Sequence, residues 1–283
     1  MKINIVTDTT ATLPLEYIEE ENIHVFQIYY NFEGKEYEEG DPSKYDLFYE
    51  KFIESDSFPT TSQPPLGKLI EVFNKALEDN PDAVIVMPIS EKLSGTHNTC
   101  ILAKEMIGDE RIHIYNTKTT TINLKRQVEY VVELIKKGFD IEEILIRLKK
   151  HRENQSVYFI PDSLEYLKRG GRLSSASAAI GDILNIKPII SVLDDGSLGL
   201  VEKHRGFNKA MTKIEGFIPD DIKYLSVVYV YNKEKALKVH EKMQEMYPHI
   251  DVKFEEVSSV IGCHIGPGTV GLLYGTYQDL DKQ

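Results

Sequence analysis

Ala83-Val84-Ile85-Val86-Met87, followed by Pro88-Ile89-Ser90-Glu91-Lys92-Leu93-Ser94-Gly95-Thr96-His97, decides the fold. The unbroken apolar run predicts a strand buried on both faces, as inside a parallel sheet. Gly95 to Met106 then reads as a helix. A strand that empties into a polar turn and a helix puts that turn at the carboxyl end of the sheet, where open α/β sheets bind ligands. Gly95 lets a ligand approach the backbone closely. An ordinary N-cap by Ser94 explains the same residues, and the sequence leaves both readings open.

Working outward, the first half repeats this alternation. Ile3 to Val6 and Ile112 to Tyr115 predict further buried strands. Helices are predicted over Pro14 to Glu21, Lys44 to Glu54, Leu66 to Leu77, Leu124 to Lys137 and Ile141 to Lys150. His24 to Tyr30 reads as one strand, paired with Asn31 to Tyr37 through Glu33-Gly34, and Ser55 to Pro64 as a polar loop. The alternation argues for a parallel sheet covered by helices. After the polar run Lys149 to Gln155 the style changes. Strands are predicted at Ser156 to Ile160, Leu225 to Tyr231, Asp251 to Val257 and Val270 to Tyr274, with a helix over Lys233 to Met246. Ile189 to Leu193 and Leu198 to Glu202 flank Asp194-Asp195-Gly196-Ser197, a hairpin signal. A short helix, Ser163 to Lys168, stops at Gly170-Gly171. The expectation is an α/β protein of two domains: 1–155, with a parallel sheet, and 156–283, of α+β type.

The chain has 283 residues, enough for two domains of ordinary size. Apolar residues make up 41%, which excludes global disorder. Acidic residues number 45 against 33 basic ones, a formal charge of −12. Such a surface repels phosphate backbones and anionic lipid, so neither nucleic acid nor a membrane surface is an expected partner. Cys100 and Cys263 support neither a disulfide scaffold nor a cysteine zinc site, and the histidines stand singly, so no metal is expected. No apolar run suits a signal peptide or a membrane span, and the expected location is cytoplasmic.

Walker, zincin and nucleophile-elbow motifs are absent. Gly266 to Gly271 matches GxGxxG, but too little chain follows for a dinucleotide fold. Four polar constellations remain. Pro59-Thr60-Thr61-Ser62-Gln63-Pro64-Pro65 precedes an apolar helix and reads as an anion site or as a cap with a rigid turn. Leu93-Ser94-Gly95-Thr96 is the second. Lys168-Arg169-Gly170-Gly171-Arg172 is a helix C-cap with more cations than a cap needs, and Arg205 can add to it. Ile261-Gly262-Cys263-His264-Ile265-Gly266-Pro267-Gly268-Thr269 sets one His in what reads as a tight turn, placed to bond an acid.

In this order and spacing, these segments resemble the DegV family over residues 3–280. Thr7-Asp8-Thr9-Thr10-Ala11-Thr12-Leu13-Pro14 and Ile186-Lys187-Pro188-Ile189 extend the match. The resemblance implies a fatty-acid-binding protein. One palmitate-like chain would place its carboxylate at the domain junction and its tail in the C-terminal domain. It implies an acyl carrier for a separate ATP-dependent fatty acid kinase, not a catalyst. By resemblance, Thr61 or Ser62, Ser94 with Gly95, and His264 receive the carboxylate. Arg172, Arg205 and Arg169 face the phosphate or the kinase. Family members usually carry a serine where this chain has Glu91 and a glycine-containing run where it has Asn116 to Leu124; Pro65 also replaces a usual Ser. Burying about 14 methylenes at ~0.8 kcal/mol each gives roughly 11 kcal/mol before ordering costs. Ile180, Ile183, Leu184, Ile186, Ile189 and Ile190 are candidate wall material or plain core.

Two other classes fit parts of the sequence. A serine hydrolase would pair Ser94 with His264 and an orienting acid such as Asp8. A phosphate- or nucleotide-binding module would use the Gly170-Gly171 turn.

Overall fold

Strand–helix alternation in the first half produces a parallel sheet in the computed structural model, which describes residues 1–39, 44–172 and 186–280. The chain runs β1 (Ile3–Asp8), α1 (Leu15–Glu20), β2 (His24–Phe26), β3 (Tyr29–Phe32), β4 (Lys35–Glu38), α2 (Tyr45–Glu54), β5 (Thr60–Ser62) and α3 (Leu66–Leu77). It continues through β6 (Ala83–Met87), α4 (Thr96–Ile107), β7 (Ile112–Ile114), α5 (Thr121–Lys136), α6 (Ile141–Glu153), β8 (Gln155–Ile160) and α7 (Glu165–Arg169). The last elements are β9 (Ile186–Val192), β10 (Leu198–Arg205), α8 (Phe207–Glu215), β11 (Tyr224–Tyr229), α9 (Lys233–Met246), β12 (Lys253–Glu256), α10 (Ser259–Ile265) and β13 (Val270–Gly275).

The first sheet has the order β2-β1-β6-β7, all parallel. β6 is buried along its whole length because both its faces are covered. Val84 and Val86 pack on Leu69 and Phe73 of α3 and on Cys100 and Ala103 of α4. Ile85 and Met87 pack on Leu124, Val128 and Val131 of α5 and on Ile144 and Leu148 of α6. Each buried side chain of this size contributes about 1.5–3 kcal/mol. At the ends of β1 and β6 the buried Asp8 holds the edge together. Its Oδ2 accepts from the Ile89 N–H at 2.6 Å, and its Oδ1 accepts from the Thr10 N–H and hydroxyl at 2.9 and 2.5 Å. Burial pushes its pKa up to about 6 against the pull of those donors.

The second sheet has the order β10-β9-β8-β13-β11-β12 and is antiparallel except for the β11–β12 pair. One face carries Ile189, Val227, Leu272 and their neighbours against α8 and α9. The other carries Phe159, Ile190, Leu198, Val228 and Leu273 against Phe48, Tyr49 and Phe52 of α2 and Ile122 of α5. A three-stranded antiparallel sheet, β4-β3-β5, stands between.

Several expectations are corrected. His24 to Tyr30 is not one strand. The backbone of Ile28 bonds to Thr9 Oγ1 and to the Glu39 N–H, so the chain leaves the parallel sheet after Phe26 and starts β3 at Tyr29. The turn at Glu33-Gly34 is as expected, with φ of 49° and 76°. The supposed loop Ser55 to Pro64 contains β5, whose Thr61 pairs with Tyr30. The supposed tight turn around His264 is α10, hidden by a central glycine and β-branched residues of low helix propensity. α8 was also not foreseen. Of the apolar run proposed as wall, Ile180, Ile183 and Leu184 lie outside the described residues. Ile189 instead fills the core under α8.

α5 begins at Thr121 rather than Leu124, and Thr121 takes a φ of 54°. A side chain with a branched Cβ is strained there. Thr121→Gly should raise the unfolding free energy in urea by up to about 1.5 kcal/mol, since the left-handed penalty of ~1–2 kcal/mol exceeds the ~0.5–1 kcal/mol that glycine's freedom costs.

Candidate functional site

An apolar opening lies beyond the carboxyl ends of β1 and β6, against the inward face of the second sheet. It is a cavity of about 280 Å³, close to the low end of small-molecule sites at roughly 300–1,000 Å³. Val157, Phe159, Val192, Leu198 and Val228 form its apolar wall. Polar groups come from well-separated places in the chain: Thr61, Ser62 and Gln63; Ser94 and Gly95; Thr119, Thr120 and Thr121; Arg172; and His264 with Thr269.

Local structure aims each of these. In β5 alternate side chains face opposite ways. Thr61 Oγ1 lies 2.8 Å from His264 Nε2, whereas the Ser62 hydroxyl turns to Glu36 Oε2 at 3.4 Å. Thr61 rather than Ser62 therefore shares a network with His264. Gly95 allows the turn to close on Gln63, since a Cβ at that position would collide with the Gln63 carboxamide. The Ser94 hydroxyl accepts from the Thr96 N–H at 3.3 Å and lies 2.8 Å from the Thr96 hydroxyl. The plainer reading of Ser94 as a helix-start residue is thus part of the answer, and it lines the cavity as well.

The glycines after α7 form a Schellman closure. The Arg172 N–H bonds to the Leu167 carbonyl, and the Gly171 N–H to the Lys168 carbonyl, with Gly171 at φ 70°. This closure spends the N–H groups that a phosphate module would need. It also delivers Arg172 to the cavity, where Nε donates to the Leu93 carbonyl at 3.2 Å and Nη1 to the Gly170 carbonyl. Among the described residues no carboxylate pairs with this half-buried guanidinium. Gly170 lies flat against the His264 ring, and a Cβ there would strike Nδ1.

Burial, helped by the Arg172 charge, lowers the His264 pKa to about 4. The ring is neutral at pH 7, and its buried Nδ1 has no hydrogen-bond partner among the described residues. Hydroxyls and a neutral imidazole suit a carboxylate head group, and the guanidinium beside them suits a further anion. The hydrolase arrangement is not assembled. Ser94 bonds to Thr96, His264 to Thr61, and Asp8 to Thr10 and Ile89. Arg169 pairs with Glu165 and stacks over Phe58, and Arg205 is exposed at the end of β10; neither lines the cavity. Sequence reasoning missed Thr119 to Thr121, although hydroxyl residues ahead of an apolar helix are the usual N-terminal signal. Among the described residues no group of acidic, His or Cys side chains is arranged to hold a metal. No helix there is long and apolar enough to cross a membrane.

In ligand-free protein the His264 ring should titrate near 4 by NMR. Folding lowers this pKa from 6.5, so its contribution to stability is complete above pH 6.5 and is lost as the pH falls towards 4. The loss should be ~2–3 kcal/mol, and His264→Gln should flatten the stability curve over that window.

A family model described as an uncharacterised protein of the DegV family matches residues 2–276. The protein DegV of Bacillus subtilis is 32% identical over 280 residues, which span 97% of this chain and 99% of that relative. The solved structure of DegV from Bacillus subtilis, a fatty acid binding protein, aligns with a TM-score of 0.87 at 31% identity, over 97% of this chain and 99% of that one. A DegV family protein from Thermus thermophilus, solved for its fatty acid binding, aligns with a TM-score of 0.89 at 27% identity, over 98% of this chain and 100% of that one. With one family model covering nearly its whole length, the chain belongs to the DegV family.

Proposed function

We propose that this protein binds one long-chain fatty acid of palmitate-like length and carries it, without catalysis, to a separate ATP-dependent fatty acid kinase. The carboxylate meets Thr61, Ser94, Gly95 and His264, with Ser62 beside them. The tail lies along Val157, Phe159, Val192, Leu198 and Val228. Arg172 faces the phosphate donor, and Arg169 and Arg205 contact the partner. The two-domain division at 155/156 belongs to the same reading, as does a cytoplasmic location. Strands of the parallel sheet all precede residue 115, and those of the mixed sheet start at Gln155, which supports it.

One observation carries the proposal: a single cavity joins hydroxyls, the His264 imidazole and the Arg172 guanidinium to a largely apolar sheet face. Neutral donors hold a carboxylate without a fixed ion pair, so its oxygens remain free to accept a phosphoryl group. A hydrophobic wall gives the tail the burial that offsets the cost of ordering it. The fatty-acid-binding relatives named above support the choice of ligand.

Native mass spectrometry of purified protein, followed by organic extraction, should find one C16–C18 fatty acid per chain. A Thr61→Ala/Ser94→Ala double variant should lose it. A parent that is empty and takes up no added palmitate ends the proposal. Arg172→Ala should still bind palmitate while acyl phosphate formation with a competent kinase falls by more than tenfold, the loss of about one charge-assisted contact.

A further inference from the structure

We propose that Glu39 and Tyr49 are positioning residues, which set His264 against Thr61 by gripping the start of α10. The inference rests on Thr61 and His264 being the head-group pair. α10 spans 7 residues, too short to hold its own conformation or place. Something outside it must fix its position and rotation. Ser258 stands at its N-cap, yet the Ser258 hydroxyl makes no capping bond. The fully buried Glu39 does that work instead. Its Oε1 accepts from the Val260 N–H at 2.6 Å, across 221 residues of chain. Tyr49, from α2, supplies the second hold. Its hydroxyl lies 3.1 Å from the Val257 carbonyl and 2.9 Å from the Ser258 carbonyl, and donates to them.

Gly262 makes the third contact possible. A Cβ on Gly262 would run into the hydroxyl and ring of Tyr49, so only a bare Cα lets α10 settle on α2. His264 follows Val260 by about one helical turn, so any rotation of α10 at its start swings the imidazole. Thr61, the residue that ring must meet, comes from the same early part of the chain as Glu39 and Tyr49. The grip therefore sets the register between two halves of the head-group network that are far apart in sequence. A buried carboxylate is costly where a serine already stands at the cap. Holding the helix from the opposite part of the molecule is a task Ser258 cannot perform.

The test uses Glu39→Ala, Glu39→Gln and Tyr49→Phe in the full chain. Two quantities are read: the NMR titration of the His264 ring in ligand-free protein, and palmitate affinity by calorimetry. Glu39→Ala and Tyr49→Phe should both raise the His264 midpoint from about 4 towards 6.5 as the ring loses its seat. Palmitate binding should weaken by about tenfold in Glu39→Ala and less in Tyr49→Phe, the scale of one lost hydrogen bond. Glu39→Gln should keep the parent's values in both, because its amide oxygen still accepts from the Val260 N–H. A folded Glu39→Ala or Tyr49→Phe protein with the parent's titration and affinity overturns the proposal. Should Glu39→Ala fail to fold, Tyr49→Phe decides alone, since it removes one oxygen from a filled site. A parent that binds no palmitate sinks the head-group reading, while the titration still decides whether the grip seats His264.

Discussion

Thr61 and His264 lie 203 positions apart in the chain and 2.8 Å apart in space, and the site exists because they meet. The contact demands that an imidazole sit in a poorly hydrated seam without becoming charged. That demand reaches outward. β5 must run beside β3 to turn Thr61 inward. Gly170 must lack a side chain where the ring lies, and α7 must end at that glycine. An Arg172 held by backbone carbonyls instead of a carboxylate keeps positive charge beside the ring, which further disfavours its protonation. The polar end of the cavity is thus built to receive a negative charge and not to supply one.

Much of the architecture was legible in the sequence because its signals were local. β6 and α3 to α5 announce themselves by apolar runs and helical spacing, and Leu66–Leu77 and Lys233–Met246 fall where periodicity puts them. The elements that went unread are those whose identity is set by a distant partner. β5 is three residues of Thr and Ser, a strand only because β3 offers an edge. α10 has small and β-branched residues that favour other conformations, and it is helical under the hold of neighbours from the start of the chain. His24 to Tyr30 has one hydropathy pattern but divides between two sheets, a choice made by the hydrogen bonds of Ile28.

The site was legible in part for the same reason. Residue types and the order of motifs pointed to Thr61, Ser94, Gly95, Arg172 and His264, all of which line the cavity. Which hydroxyl of β5 meets His264 is not readable, because it depends on the register of a strand that its sequence does not announce. Thr119 to Thr121 escaped because α5 was started at the first strong apolar residue instead of at the hydroxyls before it. By sequence, the glycines at 170 and 171 suit an anion loop or a cap. They prove to be a cap, and its function is to steer the arginine that follows.

The inward face of the mixed sheet is shared between aromatic side chains of α2 and the cavity wall. Phe159, Leu198 and Val228 belong to both. On the proposed reading, the acyl chain is the missing piece of that core, and its occupancy enters the folding equilibrium directly. A ligand present at 100 times its dissociation constant adds about 2.7 kcal/mol to the folded state. Cellular proteases act on the fraction that opens, so empty copies are cleared faster than filled ones. On that reading, occupancy of the cavity sets how long each copy of the protein survives.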